Sequence, residues 1–201
     1  SEPARVNAVL RHARRLASQK RFEQAMALLE QALARHPDEV SLWVAIIQAH
    51  LSNADLDAAR SALNEARSRD LESRSLTDTQ ARLEAALGQT EQMRSTITRL
   101  RGQSLGDLHK VAATFMLQGE LEASLGNIDE ALAAYAAADA ASPDTPALQR
   151  AAELALRSGR PSHARRMYRA LCSRNPEGAA CMQEAQLAKE LGEAPMRPPM
   201  P

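Results

Sequence analysis

An apolar and mostly small residue, a bulky one and a third apolar residue recur five times with spacings of four and three, followed five later by proline or leucine. The copies are Ala25/Leu29/Ala32/Pro37, Ala59/Leu63/Ala66/Leu71, Met93/Ile97/Leu100/Leu105, Ala131/Tyr135/Ala138/Pro143 and Ala164/Tyr168/Leu171/Pro176. Successive copies start 34, 34, 38 and 33 residues apart. Periods of that length belong to stacked helix pairs, in which each unit buries its apolar face on its neighbours, rather than to a globule around one core. The 201 residues therefore read as one stack of repeats, a surface suited to holding another molecule.

Within each unit the apolar spacing is that of an amphipathic helix, and the interruptions fall where a helix-turn-helix needs them. Turns are expected at Ser18-Gln19-Lys20-Arg21, Ser52-Asn53-Ala54-Asp55, Gly88-Gln89, Gly126-Asn127 and Ser158-Gly159-Arg160-Pro161. Glycine there supplies a left-handed residue to end one helix, and Asn127 with Glu130 is suited to cap the next. Pro37, Pro143 and Pro176 stop the second helices, because proline cannot continue them. Helix pairs are expected over 3–35, 39–69, 73–101, 107–141 and 144–174, with a single helix over 177–191.

These residues resemble the tetratricopeptide repeat. The fourth unit carries the pattern best, with Phe115, Gly119, Gly126, Ile128, Ala131, Tyr135, Ala138 and Pro143. The second offers Trp43, Ile47, Leu56, Ala59, Leu63 and Ala66, with Leu71 in place of proline. The first has Val9, Ala13, Leu16, Phe22, Ala25 and Pro37, and the fifth has Leu148, Ala152, Gly159, Ala164, Tyr168 and Pro176. The resemblance implies an all-α, right-handed superhelical solenoid of antiparallel helix pairs. Its repeats would span about 6–39, 40–73, 74–107, 112–145 and 146–178, with a capping helix over 179–191 and a Pro-rich disordered tail over 193–201. The third repeat is degenerate: Thr77, Gln80 and Glu84 stand where apolar residues are expected, and extra residues follow around Gly102–Gly106. Repeat decay with a longer loop accounts for this, as does a break that shapes a groove, marks a hinge or exposes an edge for dimerisation.

The balance of 25 basic and 25 acidic side chains removes the usual electrostatic case for nucleic acid as principal partner. All five aromatics, Phe22, Trp43, Phe115, Tyr135 and Tyr168, fall at helix-packing positions, so no stacking platform is left over. No apolar run approaches the roughly 18 residues that span a bilayer. Ser1-Glu2-Pro3 lacks the look of a secretory signal, although a removed signal or anchor would leave no trace. The histidines at 12, 36, 50, 109 and 163 are scattered without metal-ligand spacing, and His12 and His50 are expected to face inward. With no metal, no cofactor and no nucleophile motif indicated, the reading is that of a protein without enzymatic activity. Three lysines against 22 arginines point to a GC-rich bacterial source.

Cys172 and Cys181 lie at the facing ends of the last repeat helix and the capping helix. They are either a disulfide that staples the cap and implies an oxidising compartment, or two small packed thiols. The localisation expected with the disulfide is periplasmic, or membrane-associated through a removed segment; cytoplasmic is the alternative.

Residues one turn around from the packing positions of the first helices should line a concave groove. They are Asn7, Leu10, Arg11, Arg14 and Ser18, then Ser41, Val44, Ala45, Gln48 and Ser52, then Asp78, Thr79 and Arg82. Met116, Leu117, Glu120 and Ser124 follow, with Gln149, Arg150 and Glu153 and finally Gln183, Glu184 and Leu187. The core of this proposal is Asn7, Arg11, Arg14, Val44, Gln48, Arg82, Met116, Leu117, Glu120 and Glu153. Such a surface suits a peptide or helix of a protein partner, its direction fixed by charge. Replacing both Val44 and Leu117 by aspartate should then abolish capture without unfolding the stack. The family's clamp for chaperone C-termini is absent, since its positions hold Leu10, Arg14, Ala45, Ser75 and Thr79. The function expected is a scaffold or adaptor, in a bacterial envelope assembly such as secretion, pilus biogenesis or polysaccharide export. A structural homo-oligomer, such as a homodimer, and a regulatory domain of a larger protein or enzyme stand as alternatives.

Overall fold

The computed structural model describes residues 2–195. All regular structure among them is α-helical. The elements are α1 (Glu2–Ser18), α2 (Phe22–Arg35), α3 (Val40–Ser52), α4 (Leu56–Ser68), α5 (Arg74–Ala86), α6 (Thr90–Gly102), α7 (Leu108–Ser124), α8 (Ile128–Ala141), α9 (Ala147–Arg157), α10 (Pro161–Arg174) and α11 (Ala179–Glu190). Each repeat copy has become the second helix of a pair. The chain divides into two compact units, 1–103 and 104–201, and the boundary falls inside the inserted segment that follows the third repeat.

Side chains that satisfy backbone groups set the helix starts. Asp55 accepts from the Ala58 amide at 3.2 Å, Ser73 from Leu76 at 3.0 Å and Asp107 from Lys110 at 3.1 Å, each closing an otherwise orphaned donor of a first turn. Asn127 does not do this. Its amide donates to the carboxylate of fully buried Glu122 at 2.7 Å, so the residue ties the turn to the preceding helix instead of capping the next. Turn residues take the left-handed conformation at Gly88, Gly126 and Gly159 as expected, but also at Lys20, Ala54 and Asp70, where a side chain bears the conformational cost.

In the first unit, α1, α2 and α3 share a core built from Val6, Leu10, Ala13, Leu16, Ala25, Met26, Leu29, Leu42 and Ile46. A second cluster joins α3, α4 and α5 through Trp43, Val44, Ile47, Ala59, Leu63, Ala66, Leu76 and Leu83. Trp43 also donates its indole N–H to the Pro37 carbonyl at 2.7 Å, which fixes the turn between the first two pairs. In the third pair Thr77 and Gln80 are buried and bonded, and Glu84 is partly buried. Thr77 and Thr79 bond back to the carbonyls of Ser73 and Ser75, and the Gln80 amide donates to Thr96 Oγ1 at 3.1 Å and to Glu84 at 2.5 Å. The degenerate repeat thus adds a buried polar network to an apolar core that still holds Leu83, Met93, Ile97 and Leu100.

The second unit packs α7 to α11 around Ala131, Tyr135, Ala138, Ala151, Ala152, Leu154, Ala155, Ala164 and Tyr168. Tyr135 lies over Gly119 so closely that a Cβ there would meet the ring at 2.7 Å. Glycine is required at this point for close approach of α7 and α8, not for backbone conformation.

The capping helix is held to α10 in two ways. Cys172 and Cys181 are joined, with Cα atoms 4.7 Å apart. Arg165 and Glu184, both almost fully buried, pair at 2.9 Å, and Arg169 reaches the same carboxylate at 3.3 Å. Arg165 further binds the Glu193 carboxylate and the Ala194 carbonyl. The first residues of the expected tail are therefore docked on α10. The rest of that tail, residues 196–201, lies outside the described residues.

Gly119→Ala should destabilise the second unit by about 1–3 kcal/mol through overpacking against Tyr135, in spite of alanine's better helix propensity, as read in urea unfolding. Reducing Cys172–Cys181 frees a loop of sequence separation 9. It should cost about 2–3 kcal/mol, measured in the same way with and without reductant.

Candidate functional site

Within the first unit α3 is packed on both sides, so its solvent-facing arc is narrow. α3 contacts α1, α2, α4 and α5, and its buried residues are Leu42, Trp43, Val44, Ile46, Ile47 and Ala49. Gln48 and Ser52 are its exposed side chains, with Val40, Ser41, Ala45, His50 and Leu51 intermediate. This arc sits about one position away from the one the sequence suggests. Val44 is a core residue at 9% exposure and so is Leu117 at 3%, and neither lines a groove. Leu10, Thr79, Glu184 and Leu187 are likewise buried. In the opposite sense, His12 is exposed, while His50 is tucked edge-on against Phe22 with ring centroids 5.8 Å apart.

The first unit holds a pocket of about 160 Å3 between α1 and α3, floored by α2. Ala13, Arg14 and Ala17 form one wall, Ala45, Gln48, Ala49 and Ser52 the other, and Ala25 and Leu29 the base. Five of these nine residues are alanines, and the space exists because nothing larger than a methyl group projects from those positions. Arg14 and Gln48 are exposed at its rim. Arg14 has no carboxylate within 4 Å among the described residues, and Ser52 spends its hydroxyl proton on the Gln48 carbonyl at 2.9 Å. The pocket therefore offers an apolar floor, one uncommitted guanidinium and one side-chain amide. Asn7 and Arg11 are exposed on the same helix, outside the pocket lining. Arg82, on α5, is half-buried and donates from Nε to Asp78 at 2.9 Å, which ties it to its own helix.

In the second unit Glu120 of α7 and Glu153 of α9 are brought to Tyr135. Burial first, and then the Glu120 charge, push the Tyr135 phenol above its ordinary value, while Arg150 and Arg157 pull it down and Glu153 adds to the rise. Tyr168 is raised by burial and then by Glu153. Gln149 donates to Glu153 at 3.1 Å. Met116 is partly buried against the core. This face carries mixed charge around tyrosine. No cluster of three metal-ligating side chains occurs among the described residues, and no described helix is long and apolar enough to cross a membrane.

The pocket alanines Ala13, Ala25 and Ala49 and the floor residue Leu29 are absent from the sequence-derived groove. They occupy packing positions, and only the coincidence of small residues on three neighbouring helices signals them.

Residues 16–83 match the tetratricopeptide repeat family model. The match covers about a third of the chain, and the antiparallel helix pairs continue in the same manner through the rest of the described residues. No curated protein matches it in sequence. Among solved structures it is similar to PilW, a widely conserved type IV pilus biogenesis factor, with a TM-score of 0.67, 19% identity, and coverage of 94% of this chain and 86% of that one. Pseudomonas aeruginosa PilF gives a TM-score of 0.67 at 14% identity, covering 96% of this chain and 86% of its own. YrrB, a tetratricopeptide repeat protein with an unusual peptide-binding site, gives 0.52 at 18% identity, covering 90% of each chain. At such identities the likeness is one of fold.

Val44→Asp and Leu117→Asp should each unfold or strongly destabilise the unit that carries it, by about 3 kcal/mol or more, because each buries a carboxylate without a partner. Loss of the cooperative thermal transition measured by circular dichroism checks this. A fully stable Val44→Asp chain would return residue 44 to the surface.

Proposed function

We propose that this chain is a non-enzymatic protein-interaction scaffold that takes a short segment of a partner protein into the pocket between α1 and α3. The observation that carries the proposal is the combination of an alanine-walled apolar floor with an uncommitted Arg14 and Gln48 at the rim. An apolar side chain would fill the floor. An acidic residue beside it would pair with Arg14, and Gln48 would bond to the partner's backbone. The peptide-binding site of YrrB, on a related fold, supports this type of ligand. The likeness to the pilus biogenesis factor PilW supports a role in a bacterial envelope assembly, pilus biogenesis foremost among the assemblies considered. The Cys172–Cys181 bond supports an oxidising compartment, hence a periplasmic or membrane-associated location with the cytoplasm as alternative.

Leu105 and Leu108, 82% and 67% exposed at the start of the second unit, favour a second reading in which the chain associates with itself. A photo-cross-linking residue at Gln48, introduced in cells of the source organism, distinguishes the two. The scaffold reading expects cross-links to one defined segment of another protein, reduced about tenfold by Arg14→Glu in a chain that remains folded. Cross-links to this chain alone favour self-association, and a foreign-protein yield indifferent to Arg14→Glu removes the pocket from the interface.

A further inference from the structure

The buried polar network of the third repeat holds a second feature that shares no residue with the pocket above. Gln80 of α5 is more than nine-tenths buried, and both hydrogens of its amide are engaged, one by Glu84 and one by Thr96. That network turns its oxygen toward two guanidinium groups: Arg67, from the last turn of α4, and Arg99, from the last turn of α6, both donate Nη2 to it, Arg99 at 2.5 Å. Two donors on one oxygen lie no more than about 6 Å apart, twice a hydrogen-bond length. Like charges are thus gathered on a neutral acceptor, and neither arginine has a carboxylate within 4 Å among the described residues.

Each guanidinium carries five N–H donors and commits one to Gln80. The remainder border a pocket of about 120 Å3 that Ser73, Thr77 and Gln103 also line, with Glu72 as its single acidic residue. That space accommodates about four water molecules or one small polyatomic anion. Thr77 spends its hydroxyl proton on the Ser73 carbonyl, while Ser73 Oγ accepts from the Leu76 amide and shares a hydrogen bond with Ser75 Oγ, so the charged donors are the two arginines, with the Gln103 amide beside them. A planar carboxylate or a tetrahedral phosphate has several oxygens at the spacing that paired guanidinium forks address. We propose that Arg67 and Arg99, held in register by Gln80, form an oxyanion site, filled either by a free phosphate-type anion or by a carboxylate of a bound protein segment. Both arginines are exposed, so the site exchanges freely with solvent and its affinity falls as salt rises.

The test uses the full chain, isotopically labelled, at low ionic strength, titrated in turn with inorganic phosphate and with N-acetylglutamate against sodium chloride of matched ionic strength. The arginine Nε–H signals of residues 67 and 99 are followed by NMR. The site predicts a saturable shift of both signals beyond the chloride control, and at least fivefold weaker binding in Arg67→Gln and in Arg99→Gln with unchanged circular dichroism. Saturation by phosphate but not N-acetylglutamate assigns a free anion, and the reverse assigns a protein carboxylate. If neither anion moves the wild-type signals beyond the chloride control, or if folded glutamine variants bind as wild type does, the proposal is overturned. The wild-type titration decides the matter even where a variant fails to fold.

Discussion

Close approach of paired helices over small side chains is the constraint from which the rest of this structure follows. Ala25, Ala59, Ala131 and Ala164 are at most 1% exposed, and each begins a repeat copy whose next member is a bulky core side chain: Leu29, Leu63, Tyr135 or Tyr168. The tightest instance is Gly119 under the Tyr135 ring. Helices brought this near leave α3 surrounded on most sides. Its solvent-facing arc is narrow, and whatever binds there meets few side chains. Where neighbouring small residues outnumber what packing requires, as at Ala13, Ala17, Ala45 and Ala49, the surplus space becomes a pocket. Packing and recognition are thus consequences of the same residue choice.

The third repeat shows the constraint being met in another way. Met93 stands where the other four copies have alanine and Leu100 where three of them do, and both are fully buried. The partner helix α5 answers with Thr77, Thr79, Gln80 and Ala81 at its buried positions, and the polar members are satisfied by hydrogen bonds. A buried amide that accepts from two arginines costs desolvation that an apolar side chain would not incur, so its retention in an otherwise alanine- and leucine-rich stack calls for a use. The C-terminal end is treated differently again. There a buried Arg165–Glu184 pair, a covalent Cys172–Cys181 link and the docking of Glu193 and Ala194 secure α11 against α10.

Much of the architecture was legible in the chain itself because period, proline and glycine are local signals. The helix pairs, their turns and the stops at Pro37, Pro143 and Pro176 follow from them, and the family match over 16–83 agrees. The candidate site was only partly legible. Arg14 and Gln48 could be placed on the open arc from periodicity, but Val44 and Leu117 could not be told from their exposed neighbours. For Val44 the deciding quantity is how many helices surround α3, which a single-helix projection does not contain. Asn127 illustrates the same limit: its turn position was evident, while its bond to Glu122 depends on a carboxylate buried five residues earlier. The convergence of Arg67, Gln80 and Arg99 joins three helices, and only Gln80 stood out in the sequence as a polar residue at an apolar position.

The central claim is that the arc between α1 and α3 receives a partner. It is tested most directly by amide chemical-shift mapping of the labelled chain with a synthetic peptide copied from the segment that cross-links to residue 48. The account predicts saturable shifts concentrated at residues 13–17 and 45–52, with the α10–α11 region unmoved. Shifts confined to the second unit, or no saturable shift at any residue, would contradict it.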